Sequence, residues 1–423
     1  MIGLDTVMSS VPLFSQSECS HRSGDAIVFA MINTAAHDSP HAMLLPTSSD
    51  ALTREQFYGA LTQFLEARAR PVLRRIYEQE VRPELLASLG REPTRREIAA
   101  AMRARNENKL WYSARTQSQR RSYAVSAVVV TEQLPQLLRL AERFAANAVQ
   151  AKTSGSLWIN QELPIPRYAS ALEFHWMPGG YTAECTLNDV MAGALYDRQM
   201  TINRDGTQGK LNDDPGTSIA DWLKKKFTGF EPLRILELGC TDGHNTLPFK
   251  LAFPDAEVHA IDVSAPCLRY AHARAEALGV AIHFSQQNAE RTNFDDASFD
   301  LVFSRILMHE TSVGAVPRII AECRRLLRPG GIMLHSDAPQ FDELDPYSAS
   351  LRDWDIRCNN EPFMDRYYDL PLEQLFAAAD FRQSNMFRAF APSLFVAQQG
   401  IDPATNRSGG RYFLAGATLS ENV

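Results

Sequence analysis

At 423 residues the chain exceeds the ~100–200 residues of an ordinary domain, so more than one core is expected. Apolar residues make up 45%, charged residues 22% and aromatics 9%, which excludes a mainly disordered, collagenous or low-complexity chain. A net charge of -7, from 43 Lys+Arg against 50 Asp+Glu, leaves the whole molecule no positive excess to hold a phosphate backbone, so nucleic acid is disfavoured as a partner.

The N-terminus, Met-Ile-Gly-Leu-Asp-Thr-Val-Met, lacks the basic n-region and apolar core of a secretory signal. Residues 1–50 read as an arm with one short apolar stretch at Ile27 to Met31. From Ala51 helical periodicity takes over, with Thr53 as a candidate cap and Leu52, Phe57, Leu61, Phe64 and Leu65 at three- and four-residue spacings. Further helices are expected over about 72–88, 94–121 and 122–150. Residues 51–121 hold 14 Arg and 1 Lys against 8 Glu, a net +7 that leaves -14 on the rest. That asymmetry reads either as a surface for an anionic partner or as solvated i,i+4 Arg–Glu pairs. The apolar run at Ala124 to Val130 is far below the ~18–20 residues of a bilayer crossing. No membrane association is expected.

Residues 153–215 are rich in Gly, Pro and polar residues and read as loops linking two cores. The domain scheme is thus an arm at 1–50, a mainly helical substrate-cover domain at 51–215, and an α/β domain at 216–423. Six cysteines lie 27 or more residues apart, with no Cys-x-x-Cys pair and no zinc spacing, so reduced thiols, a cytoplasmic protein and no metal are expected.

The α/β domain opens with a chemically telling text: Leu233-Arg-Ile-Leu-Glu-Leu-Gly-Cys-Thr-Asp-Gly-His, a strand, a turn, then a helix. Gly239 and Gly243 let backbone approach a ligand closely, as in nucleotide-binding folds. A dinucleotide fingerprint would need glycine at 241 and 244, where Thr241 and His244 stand. Glu237 at the strand's end would repel a pyrophosphate and suit an amino group. Asp262 ends the second strand, placed to accept from ribose hydroxyls; beyond the third, Gln287-Asn288-Ala289-Glu290 offers an amide to an adenine edge. Phe299 to Ser304 and the stretch entered from Leu326-Leu327-Arg328-Pro329-Gly330-Gly331 give strands four and five.

This run resembles the class I S-adenosylmethionine-dependent methyltransferases, closely over about 217–338 and loosely over 371–417. The family's E-x-G-x-G-x-G pattern falls on Glu237, Gly239, Thr241 and Gly243, with Thr241 replacing the middle glycine. Its ribose acid falls on Asp262, its adenine-side acid on Asn288, and its Ser-x-x-x-x-His stretch on Ser304 to His309. The resemblance implies a doubly wound, Rossmann-like α/β fold with a seven-stranded sheet closed by a late hairpin, Ser384 to Ala391 with Arg411 to Ala417. It also implies S-adenosyl-L-methionine as cofactor, held by those residues with Val263, Ala289 and Ser304.

A sulfonium methyl is already electrophilic, so an enzyme of this kind need mainly align a nucleophile and exclude water. A base is required only for a hydroxyl or carbon acid, and His309, past the fourth strand, is the candidate; Glu310 reads as its solvated neighbour. His175, Trp176, Tyr181, Tyr196, Arg305 and Trp354 are candidate acceptor contacts, and the insertion 337–370, dense in aromatics and acids, reads as a lid. The expected reaction is methyl transfer to a small specialised metabolite. An RNA or protein methyltransferase gripping its target with the Arg-rich helices, or a non-methylating enzyme on the same fold, are the alternatives. The sequence does not set the oligomeric state, and a homodimer is compatible with it.

Overall fold

The computed structural model describes residues 39–150, 155–204, 206–403 and 410–420. Most of the expected N-terminal arm, and Cys19, lie outside them. Residues 39–423 form one compact unit, built on a single eight-stranded sheet. Its strands are β1 (Ser156–Trp158), β2 (Arg234–Leu238), β3 (Glu257–Asp262), β4 (His283–Gln286), β5 (Phe299–Arg305), β6 (Leu327–Asp337), β7 (Met386–Pro392) and β8 (Arg411–Thr418).

The spatial order is β1-β4-β3-β2-β5-β6-β8-β7. Pairing is parallel except where β8 runs antiparallel to β6 and β7. The order reverses at β2, where β3 lies to one side and β5 to the other, and such a switch point opens a crevice at the carboxyl ends of the strands. The central strands are buried on both faces, as parallel strands must be. One face packs Leu236, Val302 and Met333 against Ile319, Cys323 and Phe376; the other packs Ile235, Ala260 and Leu334 against Leu223, Phe249 and Leu268.

The expected seven strands are present, with β1 added at the edge. It falls in the segment read as linker, because three residues carry no alternation to find. Gly155 permits the docking: a Cβ there would come within 2.1 Å of the Ile282 carbonyl oxygen. The same segment holds the helix Met191–Arg204, whose Leu195 joins Tyr123, Val130 and Leu137 in one core.

The two helices expected over 94–121 and 122–150 divide elsewhere. A helix Arg95–Ala104 is closed by a capping box between Thr94 and Glu97, and one helix runs Asn106–Gln150 with Pro135 inside it. Tyr123, Val130 and Leu137 recur every seven residues on its buried stripe. The first helix begins at Ser49, capped by Ser48 rather than Thr53, and its Glu55 is fully buried against Arg198 at 2.6 Å.

The insertion after β6 folds back onto the helical layer. Its helix Pro346–Cys358 buries Tyr347 and Trp354 with Tyr77, Ile98 and Trp111. Residues 337–370 contain nine Asp and Glu against three Arg, a net -6 facing the +7 of residues 51–121. Arg95 pairs with Asp369 at 2.7 Å and Arg103 with Asp353 at 2.6 Å. Arg70, Arg74, Arg91, Arg105 and Arg115 pair with glutamates of the helical layer itself. Among the described residues no helix is long and apolar enough to cross a membrane.

Candidate active site

The crevice is built around the turn after β2. Gly239 has φ 70°, a conformation strained for other residues, and a Cβ there would lie 2.7 Å from Leu307 Cδ1, which would have to move. Thr241 also has positive φ, 50°, an outlying conformation for a β-branched residue. Its N–H donates to Asp262 Oδ2 at 3.0 Å, and Ser264 N–H donates to Asp262 Oδ1 at 2.8 Å. Ser264, not Asp262, caps the helix Ala265–Ala277, so the acid is free of that duty. Burial pushes its carboxyl up to about 6, against the pull of the backbone donors. A carboxylate has about four acceptor sites, so capacity remains for the vicinal hydroxyls of a ribose.

The cleft encloses about 680 Å³ of space, its open mouth included, and Gly239, Thr241, Asp262, Val263, Asn288 and Ala289 line it. Tyr168, Phe174 and Tyr181 from the segment between β1 and β2, and Leu307 and Glu310 after β5, line it too. Three other expected cofactor residues lie behind this wall. Glu237 is buried and accepts from Thr246 Oγ1; burial pushes its carboxyl up to about 8, so it is largely neutral at pH 7. Gly243 faces the ring of Phe284. Ser304 bonds His335 Nδ1 at 2.8 Å within the sheet.

A smaller, polar cavity of about 270 Å³ adjoins the cleft and shares Tyr181, Gly239, Thr241, Ile306 and Glu310 with it. Tyr196, Cys240, His244, Asn245 and Arg305 complete its lining. Arg305 Nε is buried without a hydrogen-bond partner.

The other expected acceptor contacts lie outside both cavities. Trp176 donates to the Cys358 carbonyl at 2.7 Å, with the Arg120 guanidinium 4.0 Å over its ring. Trp354 is buried edge-on to Trp111 because the insertion's helix packs away from the crevice. His175 stands behind the wall, its Nε2 3.2 Å from Glu310 Oε1.

His309 is likewise enclosed. Its Nδ1 meets Asp337 and its Nε2 lies 3.5 Å from Glu361. Burial alone would lower its pKa, but Asp337 outweighs it and pulls the imidazole up to about 9. Enclosed between two acids, His309 is in the lining of neither cavity. Glu310 is in the lining of both, accepting from Tyr181 OH at 3.1 Å. The sequence held one sign of this, its position next to His309. The decisive partner, His175, lies 135 residues away.

Residues 235–331 match a family model described as a methyltransferase domain. A malonyl-[acyl-carrier protein] O-methyltransferase of Methylococcus capsulatus is 34% identical over 26% of this chain and 38% of its own. A demethylmenaquinone methyltransferase of Thermus thermophilus is 34% identical over 23% of this chain and 46% of its own. Among solved structures, Haemonchus contortus phosphoethanolamine N-methyltransferase 2 with S-adenosyl-L-methionine aligns at TM-score 0.33 and 16% identity, over 52% of this chain and 60% of that one. The chain spans about half the length, or less, of the curated relatives it matches. Residues 235–331, within the C-terminal half, thus carry a methyltransferase domain.

Proposed function

We propose that the chain transfers a methyl group from S-adenosyl-L-methionine to a small-molecule acceptor. The observation that carries this reading is the continuity of the two cavities. The Asp262 cleft suits the nucleoside, the first loop lies between cleft and polar cavity, and Tyr181 and Glu310 border both. Bound there, the cofactor supplies an electrophilic methyl; the chain's task is to align an acceptor with it and keep water out.

Three features favour a small acceptor over RNA or a protein surface. The polar cavity is narrow and recessed, with buried His244 and Asn245 in its lining. The segment carrying Phe174 and Tyr181 covers the crevice. The arginines that paired with acids in the helical layer are occupied. The two relatives' names give malonyl-[acyl-carrier protein], an acyl group carried on a protein, and demethylmenaquinone, a quinone, as their acceptors.

Incubating the full chain with methyl-labelled cofactor and a cell extract, then separating small molecules from polymers, tests the reading. Label in the small-molecule fraction is expected. Label confined to RNA or protein would overturn it.

A further inference from the structure

Five alternating acids and imidazoles run from the crevice into the interior: Glu310, His175, Glu361, His309 and Asp337. Glu310 Oε1 lies 3.2 Å from His175 Nε2, and His175 Nδ1 lies 3.0 Å from Glu361 Oε1. Glu361 Oε2 lies 3.5 Å from His309 Nε2, and His309 Nδ1 meets Asp337. Asn359 Nδ2 donates to Glu361, fixing the centre. Only Glu310 borders the cavities.

The segment that delivers His175 is strained. His175 and Trp176 both have positive φ, 55° and 63°, as does Ile306 beside Glu310 at 56°. Backbone strain persists where the surroundings hold it, and it clusters at working sites. Trp176 is the clamp here, through Cys358 and Arg120.

We infer that Glu310 takes the proton from an acceptor hydroxyl or acidic carbon, with His175 as its positioning residue. This rests on the methyl-transfer reading and narrows it to acceptors that must lose a proton. As the acceptor atom bonds the methyl carbon, its proton passes to the Glu310 carboxylate and the carbon–sulfur electron pair stays on sulfur. The positive charge lost from the sulfonium balances the negative charge lost from Glu310.

The charges of the row support this assignment. Both imidazoles have acids at both nitrogens, and against the effect of burial Glu361 and Glu310 pull His175 up to about 10. Two imidazoles alternate with three acids, and the open end of the row, Glu310, is where a ligand meets it. The other groups facing Glu310 are Tyr181, Tyr196, Arg305 and His244 around the polar cavity, Asp262 across the cleft and Tyr123 of the long helix. Arg305 adds positive charge on the same wall, and an opposite charge nearby favours an ionised carboxylate.

Infrared difference spectra of the unliganded full chain, wild type against Glu310→Gln at pH 7, read this carboxyl directly. Carboxylate bands of Glu310 are expected in the difference spectrum, and His175→Gln should displace them because the 3.2 Å contact with Glu310 Oε1 is lost. A protonated carboxyl in the wild type, or no change on removing His175, would overturn the inference. With methyl-labelled cofactor and the small-molecule fraction, Glu310→Gln should lower labelled product by about 10²–10⁴-fold while calorimetric cofactor affinity and melting temperature are retained. Wild-type turnover in that variant, or label on an amine nitrogen, would sink it. Failure of the wild type to bind cofactor would instead fell the methyl-transfer reading, with the infrared result still reporting on Glu310 itself.

Discussion

His309 shows how a residue's partners decide its role. Its folded-state pKa of about 9 lies above the ~6.5 of an unperturbed imidazole, so the folded chain binds its proton more tightly. The stabilisation is fully present below about pH 6.5 and is lost as pH rises through about 9. Stability should therefore fall across that window, and the fall should shrink in His309→Gln, as chemical denaturation at a series of pH values will show. Because His309 stands between two buried acids, His309→Ala should cost about 3–5 kcal/mol, the range for breaking a buried ion pair. A variant with wild-type stability and selectively lost turnover would restore it as the base. The residues legible in the sequence were those fixed by local backbone: Gly239 and Thr241 in one turn, Asp262 at one strand end, Asn288 and Ala289 after another. Glu310 was misread because its environment comes from His175 and Tyr181, on a segment far away in the chain. Glu237 was misread for a related reason. Its sequence position gives the strand end, while Thr246 and the packing around it determine that the carboxylate is sealed under the loop.

Among the elements, the parallel strands were legible because continuous apolar runs between turn signals admit few other readings, and β3 has the bounds expected of it, Glu257–Asp262. Short or mixed elements were not. β1 is three residues long, and the helix Met191–Arg204 buries polar Asp197, Arg198 and Gln199, so its buried face does not look apolar. Asp197 bonds Tyr270 OH at 2.7 Å and Gln199 bonds Ser126 at 2.6 Å, which is how such a face is satisfied. The insertion 337–370, read as a lid, backs the site through Asp337, Asn359, Glu361 and Phe363, whose ring meets Tyr168 and Phe174 of the cleft lining, while its helix straps the helical layer down. Its helix is anchored by Trp354, edge-on to Trp111 at 5.9 Å and under the Arg115 guanidinium at 4.4 Å. Trp354→Ala should cost about 3–5 kcal/mol, as large-to-small changes at buried tryptophans do. A thermal melt indistinguishable from wild type would show that the strap is not anchored there.

At the scale of the molecule, the charge asymmetry that suggested an anionic partner is met in part within the chain, where Arg74, Arg95 and Arg103 pair with acids of the insertion. The +7 of residues 51–121 faces the -6 of residues 337–370, and paired arginines have little field left to offer a polyanion. Filter binding should accordingly show no tight RNA association with a steep dependence on salt, and such a dependence would return the Arg-rich helices to the role of a grip. The change from mainly helical to α/β text near residue 215 was legible as composition. The union of the two parts in one compact unit was not, because Tyr123, Leu195 and Tyr270 meet across some 150 residues of chain. The central claim is that this unit holds S-adenosyl-L-methionine against Asp262, and calorimetric titration of the full chain with that cofactor and with NAD tests it most directly. The account predicts that S-adenosyl-L-methionine binds and NAD does not, with Asp262→Ala weakening the affinity by about 1.5–3 kcal/mol, the scale of hydrogen bonds to a charged acceptor. Preferential binding of NAD, or unchanged affinity in Asp262→Ala, would contradict it.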